Sequence, residues 1–152
     1  MARKGEVVAG MLCVVTVLLM SSLLHAQVEV EKRVTLLPMP GAATAAGQVF
    51  IMDEPDGTRG PGQRRLKVTA EGLEPGAVYS VWFLNEQPEI DMVRIGDPGS
   101  SFVAGPGGAG VFTAFVPDFA PGRWRMIQVA RHPDGNPRNI ANMEVALKAY
   151  IE

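Results

Sequence analysis

Cysteine is nearly missing from this chain. Among 152 residues there is one, Cys13, inside an apolar run near the start. If that run is removed, the remaining chain can form no disulfide and no thiolate metal site, and it cannot supply the cysteine of a blue-copper centre. Histidine is equally scarce, with His25 and His132 only, so a closed metal site built on several imidazoles is excluded. Charge of one sign is also lacking. There are 14 basic and 16 acidic residues, a net charge of −2, and the nearest thing to a basic cluster is Arg64, Arg65 and Lys67. Nucleic acid is therefore not an expected partner. Beyond the first segment, no apolar run is long enough to cross a ~30 Å bilayer.

The opening segment, MARKGEVVAGMLCVVTVLLMSSLLHAQ, has the layout of a secretory signal peptide. Arg3 and Lys4 form a basic start, the apolar run is densest from Met11 to Met20, and Ala26 supplies a small residue for cleavage. The competing reading is an uncut anchor over Val7 to Leu24. A lipid anchor on Cys13 is discounted, because the large Leu12 precedes it. The expected organisation is a leader over residues 1–26 and one domain over residues 27–152. The mature domain then carries 12 basic and 15 acidic residues, since Arg3, Lys4 and Glu6 leave with the leader. A secreted or periplasmic location follows as an expectation.

Proline and glycine are what the mature chain has in plenty. All 12 prolines and 15 of the 17 glycines follow the leader, and they cut it into pieces too short for ordinary helices. Between the breaks apolar residues alternate, as in a half-buried strand. Leu66, Val68 and Ala70 share one face, and Met143 to Ile151 alternates cleanly. Val78 to Leu84 is apolar on both faces, the mark of a central strand covered on each side. Val111 to Val116 and Trp124 to Ala130 repeat the theme. Turns fall at Glu54-Pro55-Asp56-Gly57, Leu73-Glu74-Pro75-Gly76, Gly105-Pro106-Gly107-Gly108 and Ala120-Pro121-Gly122, a spacing typical of sandwiches and barrels. The expected fold is all-β, an immunoglobulin-like or related Greek-key β-sandwich of seven to nine strands. Gln27 to Leu37 carries Glu29, Glu31, Lys32 and Arg33, and is expected to be a charged edge strand. The expected core is Leu66, Val68, Leu73, Tyr79, Val81, Phe83, Val111, Phe115, Trp124, Met126, Val129, Val145 and Leu147.

The order of Gly72-Leu73-Glu74-Pro75-Gly76, Val78-Tyr79-Ser80-Val81-Trp82-Phe83, Gly110-Val111-Phe112, Trp124 to Val129 and His132-Pro133-Asp134-Gly135 resembles that of small exported bacterial β-sandwich domains without an assigned activity. It is also faintly similar to the extracytoplasmic domain of anti-sigma-K factors. The resemblance covers roughly residues 64–147 and implies a fold and a side of the membrane. It does not carry over sigma-factor binding, because the cytoplasmic helical domain with its His and Cys residues has no counterpart here.

His132 belongs to the stretch RHPDGNPRNIANMEVAL, and the expected reading is a turn residue with a surface imidazole. Pro133 suits the first corner of a turn and Gly135 a left-handed position, while Asn136-Pro137 suits a cap and first-turn proline, predicting one helical turn over Pro137 to Asn142. The functional alternative is a small periplasmic copper site in which His132 joins Met126, Asp134 or Met143, since thioether and imidazole together suit copper. Asp53, Glu54 and Asp56 could offer oxygens to calcium but lack EF-hand spacing. A serine triad can be drawn from Ser80, Ser100 or Ser101 with His132 and Asp118 or Asp134, yet no nucleophile motif frames these serines. Both tryptophans are expected in the inter-sheet core; Trp82 or Trp124, if outward-facing instead, could stack on a sugar or anchor a protein partner. Taken together, the expectation is a non-enzymatic binding or structural module, without a cofactor, for an unknown protein or glycan partner, acting as a monomer or weak oligomer.

Overall fold

The computed structural model describes residues 30–53, 62–97, 100–118 and 120–151. The expected leader, with Cys13 and Ala26, lies outside them, as do Glu54 and Asp56 of the acidic loop. Among the described residues nine strands form: β1 Val30–Pro38, β2 Ala46–Asp53, β3 Gln63–Glu71, β4 Val78–Asn85, β5 Asp91–Arg94, β6 Phe102–Val103, β7 Gly110–Pro117, β8 Met126–His132 and β9 Glu144–Tyr150. A 3-10 turn at Pro40–Ala42 and a four-residue helix, α1 Ala120–Arg123, complete the regular structure. No helix among the described residues is long and apolar enough to cross a membrane.

All pairings are antiparallel, in the order β5-β4-β8-β9-β1-β2-β3-β7, with β6 beside β4. This curled sheet folds into two layers. β3 and β7 pair in one layer and β4 and β8 in the other, so the chain crosses between layers from β3 to β4 and again from β7 to β8. That is the Greek-key core of an immunoglobulin-type sandwich, with β5 and β9 extending the second layer.

β1 joins the layers. Val30 to Leu36 pair with β2, while Leu37 and Pro38 pair with β9. This corrects the expectation of an edge strand. Two of the charges that suggested it have other uses: Lys32 Nζ donates to the Ile151 carbonyl at 3.1 Å, and the Arg33 guanidinium lies over the Phe50 ring. Glu29 lies outside the described residues. The path instead ends at β5 and β7.

The core lies between the layers. Val49 and Ile51 on β2, Leu66, Val68 and Ala70 on β3, and Phe112, Ala114 and Val116 on β7 face Tyr79, Val81 and Phe83 on β4, and Ile127 and Val129 on β8. Burying each large aliphatic or aromatic side chain contributes about 1.5–3 kcal/mol. Two expected core residues on β7 are misplaced by one position. Val111 is 58% exposed and Phe115 is half-buried on the outer face. The phase is set by Gly110, where a Cβ would sit 2.3 Å from a ring carbon of Phe102. Phe102 occupies that place, so the even-numbered residues of β7 point inward. Val145 is only half-buried, and Met126 is buried but stands outside the inter-layer cluster. The strands β5 and β6 were not expected.

Candidate functional site

β4 and β8 are buried on both faces. Ser80, Trp82 and Leu84, with Met126, Gln128, Ala130 and His132, are buried although they are not part of the inter-layer core. The connection from β8 to β9 reaches back to this face, since Asn139 and Pro137 both bond to side chains on it. The connection begins with the expected turn. The Gly135 N–H donates to the His132 carbonyl at 2.9 Å, and Gly135 has φ +69. Pro137 to Asn142 is not the expected helical turn. It is two successive turns, closed by Asn139 N–H to Asn136 O and Met143 N–H to Ile140 O. Short polar side chains divert the backbone here. Asp134 accepts from the Asn136 N–H at 3.0 Å and from Asn139 Nδ2 at 2.6 Å, Asn136 accepts from the Arg138 N–H, and Asn139 accepts from the Ala141 N–H.

His132 is not the expected surface imidazole: it lies under this connection and is 1% exposed. Its Nε2 is 2.6 Å from Ser80 Oγ, Trp82 Nε1 donates to the same Oγ at 2.7 Å, and its Nδ1 is 3.3 Å from the Asn139 carbonyl. The chemistry gives this chain a direction. An indole N–H only donates and a carbonyl only accepts. The network is therefore Trp82 to Ser80 to His132 to Asn139, with a neutral imidazole protonated at Nδ1. Burial is the main cause that lowers the His132 pKa below the ordinary histidine value. The Asn139 carbonyl and the Asp134 carboxylate oppose it, and Arg94 adds to the lowering. The Arg94 guanidinium stacks 4.6 Å from the Trp82 ring centroid and donates to the Pro137 carbonyl. It thereby clasps the connection onto β4.

Serine and histidine at this distance match a nucleophile and its base. The surroundings do not. Ser80 is wholly buried in mid-strand, its oxygen is already bonded to Trp82, and a neutral carbonyl rather than a carboxylate holds Nδ1. A neutral carbonyl at Nδ1 favours an imidazolium less than the aspartate of a triad does, and here burial outweighs it.

The copper candidates are dispersed. Met126 opens β8 and His132 closes it, six residues apart, or roughly 20 Å at ~3.3 Å per residue. They cannot share an ion. Asp134 is in the same connection as His132, but both its oxygens and both ring nitrogens have other partners. Met143 ends the connection, half-buried. Among the described residues no three His, Cys, Asp or Glu side chains gather at one point. Asp53 pairs with Arg64 at 3.5 Å. Comparison with protein-family models, curated proteins and solved structures finds no match for the chain.

The two tryptophans have different fates. Trp82 is not in the inter-layer core, where both were expected, but buried on the other face of β4 beneath Arg94. Trp124 belongs to the inter-layer core, where its ring is parallel to Phe83 with centroids 6.3 Å apart. It also floors a cleft of about 560 Å³ between the β5 and β7 edges, lined as well by Val93, Phe115 and Arg123. Sequence reasoning named Ser80 and His132 but not Asn139 or Arg94. The available signal was the pair Ser80 and Trp82 on one strand face, which requires a third polar partner once that face is covered.

Proposed function

We propose that the protein is exported, released from its leader after Ala26, and acts at the cell envelope as a non-enzymatic binding or structural module, a monomer or weak oligomer. The layout of residues 1–26 supports export. The observation that carries the non-enzymatic reading is the fate of Ser80 and His132. The described residues bring together one serine–histidine pair, and it is spent on pinning the β8–β9 connection. The experiment is expression of the full chain in a bacterium, with fractionation and intact-mass measurement, followed by treatment with a fluorophosphonate probe. The expected product starts at Gln27 in the exported fraction and takes up no probe. An uncleaved chain held in the membrane overturns the released form. A fluorophosphonate adduct on Ser80 overturns the non-enzymatic reading.

A further inference from the structure

The outer face of the layer β1-β2-β3-β7 is cationic, and two of its cations, Arg65 and Lys67, come from the short basic stretch in the sequence. Strand register assembles it. Arg33, Phe50, Lys67 and Thr113 form one row across the four strands, and Met52, Arg65 and Phe115 form the next. They stand on the face opposite the inter-layer cluster, where Arg33, Lys67 and Thr113 are exposed and Met52 is buried. Strands lie ~4.8 Å apart, so Arg33 and Lys67 stand about 10 Å from each other with Phe50 between them. The Arg33 guanidinium rests 5.1 Å from the Phe50 ring centroid. That contact restrains a long side chain that would otherwise lose much freedom on binding. On the other side of this row is a groove of about 360 Å³, lined by Thr35, Gln48, Thr69 and Glu71. Among the described side chains, Glu71 is the one acid on the face.

Two chemistries therefore adjoin. Arg33 and Lys67 suit carboxylate groups, Arg33 by a two-pronged hydrogen bond. The groove offers hydroxyls, an amide and a carboxylate, which suit a ligand rich in hydroxyl groups. We propose that this face binds an acidic polysaccharide, with its uronate carboxylates on Arg33 and Lys67 and neutral sugar hydroxyls in the Thr35, Gln48 and Thr69 groove. The inference rests on the reading of the protein as a binding module and supplies its ligand class. A nucleic acid fits less well. Its charge recurs every ~1.7 Å of duplex, whereas Arg33 and Lys67 stand about 10 Å apart beside a groove that offers hydroxyls and an amide. An anionic membrane is the competing partner, since Phe50, Met52 and Phe115 share this face, and the vesicle arm of the test separates the two.

The test uses the full chain, purified after export, and measures binding by calorimetry at low salt. The probes are polygalacturonate, its methyl ester, single-stranded DNA and phosphatidylglycerol vesicles. Polygalacturonate is expected to bind and its ester not to. Lys67→Glu should weaken binding at least about tenfold, the worth of one charge-assisted hydrogen bond. Thr69→Val should weaken it less while leaving the melting curve in place. Equal binding of DNA or vesicles, lost in the same Lys67→Glu protein, would overturn the glycan assignment in favour of a general anion or membrane surface. Failure of every probe would overturn the proposal itself. The module reading would still stand or fall separately, on the export and fluorophosphonate experiment.

Discussion

His132 is uncharged in the folded protein because burial outweighs the Asn139 carbonyl and the Asp134 carboxylate. The consequence for stability has a definite sign. The unfolded chain takes up a proton near pH 6.5, and the folded one only at a lower pH. Stability from this residue is complete above about pH 6.5 and declines as the pH falls from there toward the folded pKa. Urea unfolding from pH 8 to 5 is expected to show that decline in the native protein and a smaller one in His132→Gln. Ser80 carries the other half of the network. Ser80→Ala leaves Trp82 Nε1 and His132 Nε2 without a partner inside the protein, and should cost about 1–3 kcal/mol in a denaturant midpoint experiment. The turn at His132-Pro133-Asp134-Gly135 was legible in the sequence, since proline and glycine act locally. The partner Ser80, 52 residues away, was not, because only the pairing of β4 with β8 brings the two together.

The strands themselves were largely readable, and their faces less so. β3 alternates charged and apolar residues and leaves one choice of inward face. β7 is apolar at both parities, with Val111 and Phe115 competing against Phe112, Ala114 and Val116, and the choice rests on how Gly110 fits against Phe102. The phase can be checked directly. Leu66→Ala, at a fully buried position, should lose about 2–5 kcal/mol, while Val111→Ala should stay within ~0.5 kcal/mol in the same chemical denaturation series. Equal losses at the two sites would mean that β7 is turned the other way. β5 and β6 escaped sequence reading for another reason. They are four and two residues long, too short to show a period. The charge on β1 misled because charge at a strand's outer face protects an edge in one fold and lines a surface in another.

At the scale of the whole molecule, β4, β8, β9, β2 and β3 have hydrogen-bonded neighbours on both sides, and β5 and β7 are the ends of the path. Amide exchange followed by mass spectrometry should therefore be slowest in β4 and β8, whose outer faces are covered as well, and fastest in β5 and β6. Protection of β5 equal to that of β4 would show that the open side of the sandwich is covered in solution. The layered all-β architecture was legible in the spacing of turns. The closure of one side by β1 was not, because it depends on a strand that changes partners partway along its length, from β2 to β9.

The bond from Lys32 Nζ to the Ile151 carbonyl places the first and last strands of the fold side by side. The polypeptide leaves this domain where it entered it. Such a domain can be re-cut without changing what touches what: a short linker from Ile151 to Lys32, and new ends opened between the exposed Pro106 and Gly107, would give a circularly permuted chain with the same strand partners. For the same reason it could be inserted whole into a surface loop of another protein.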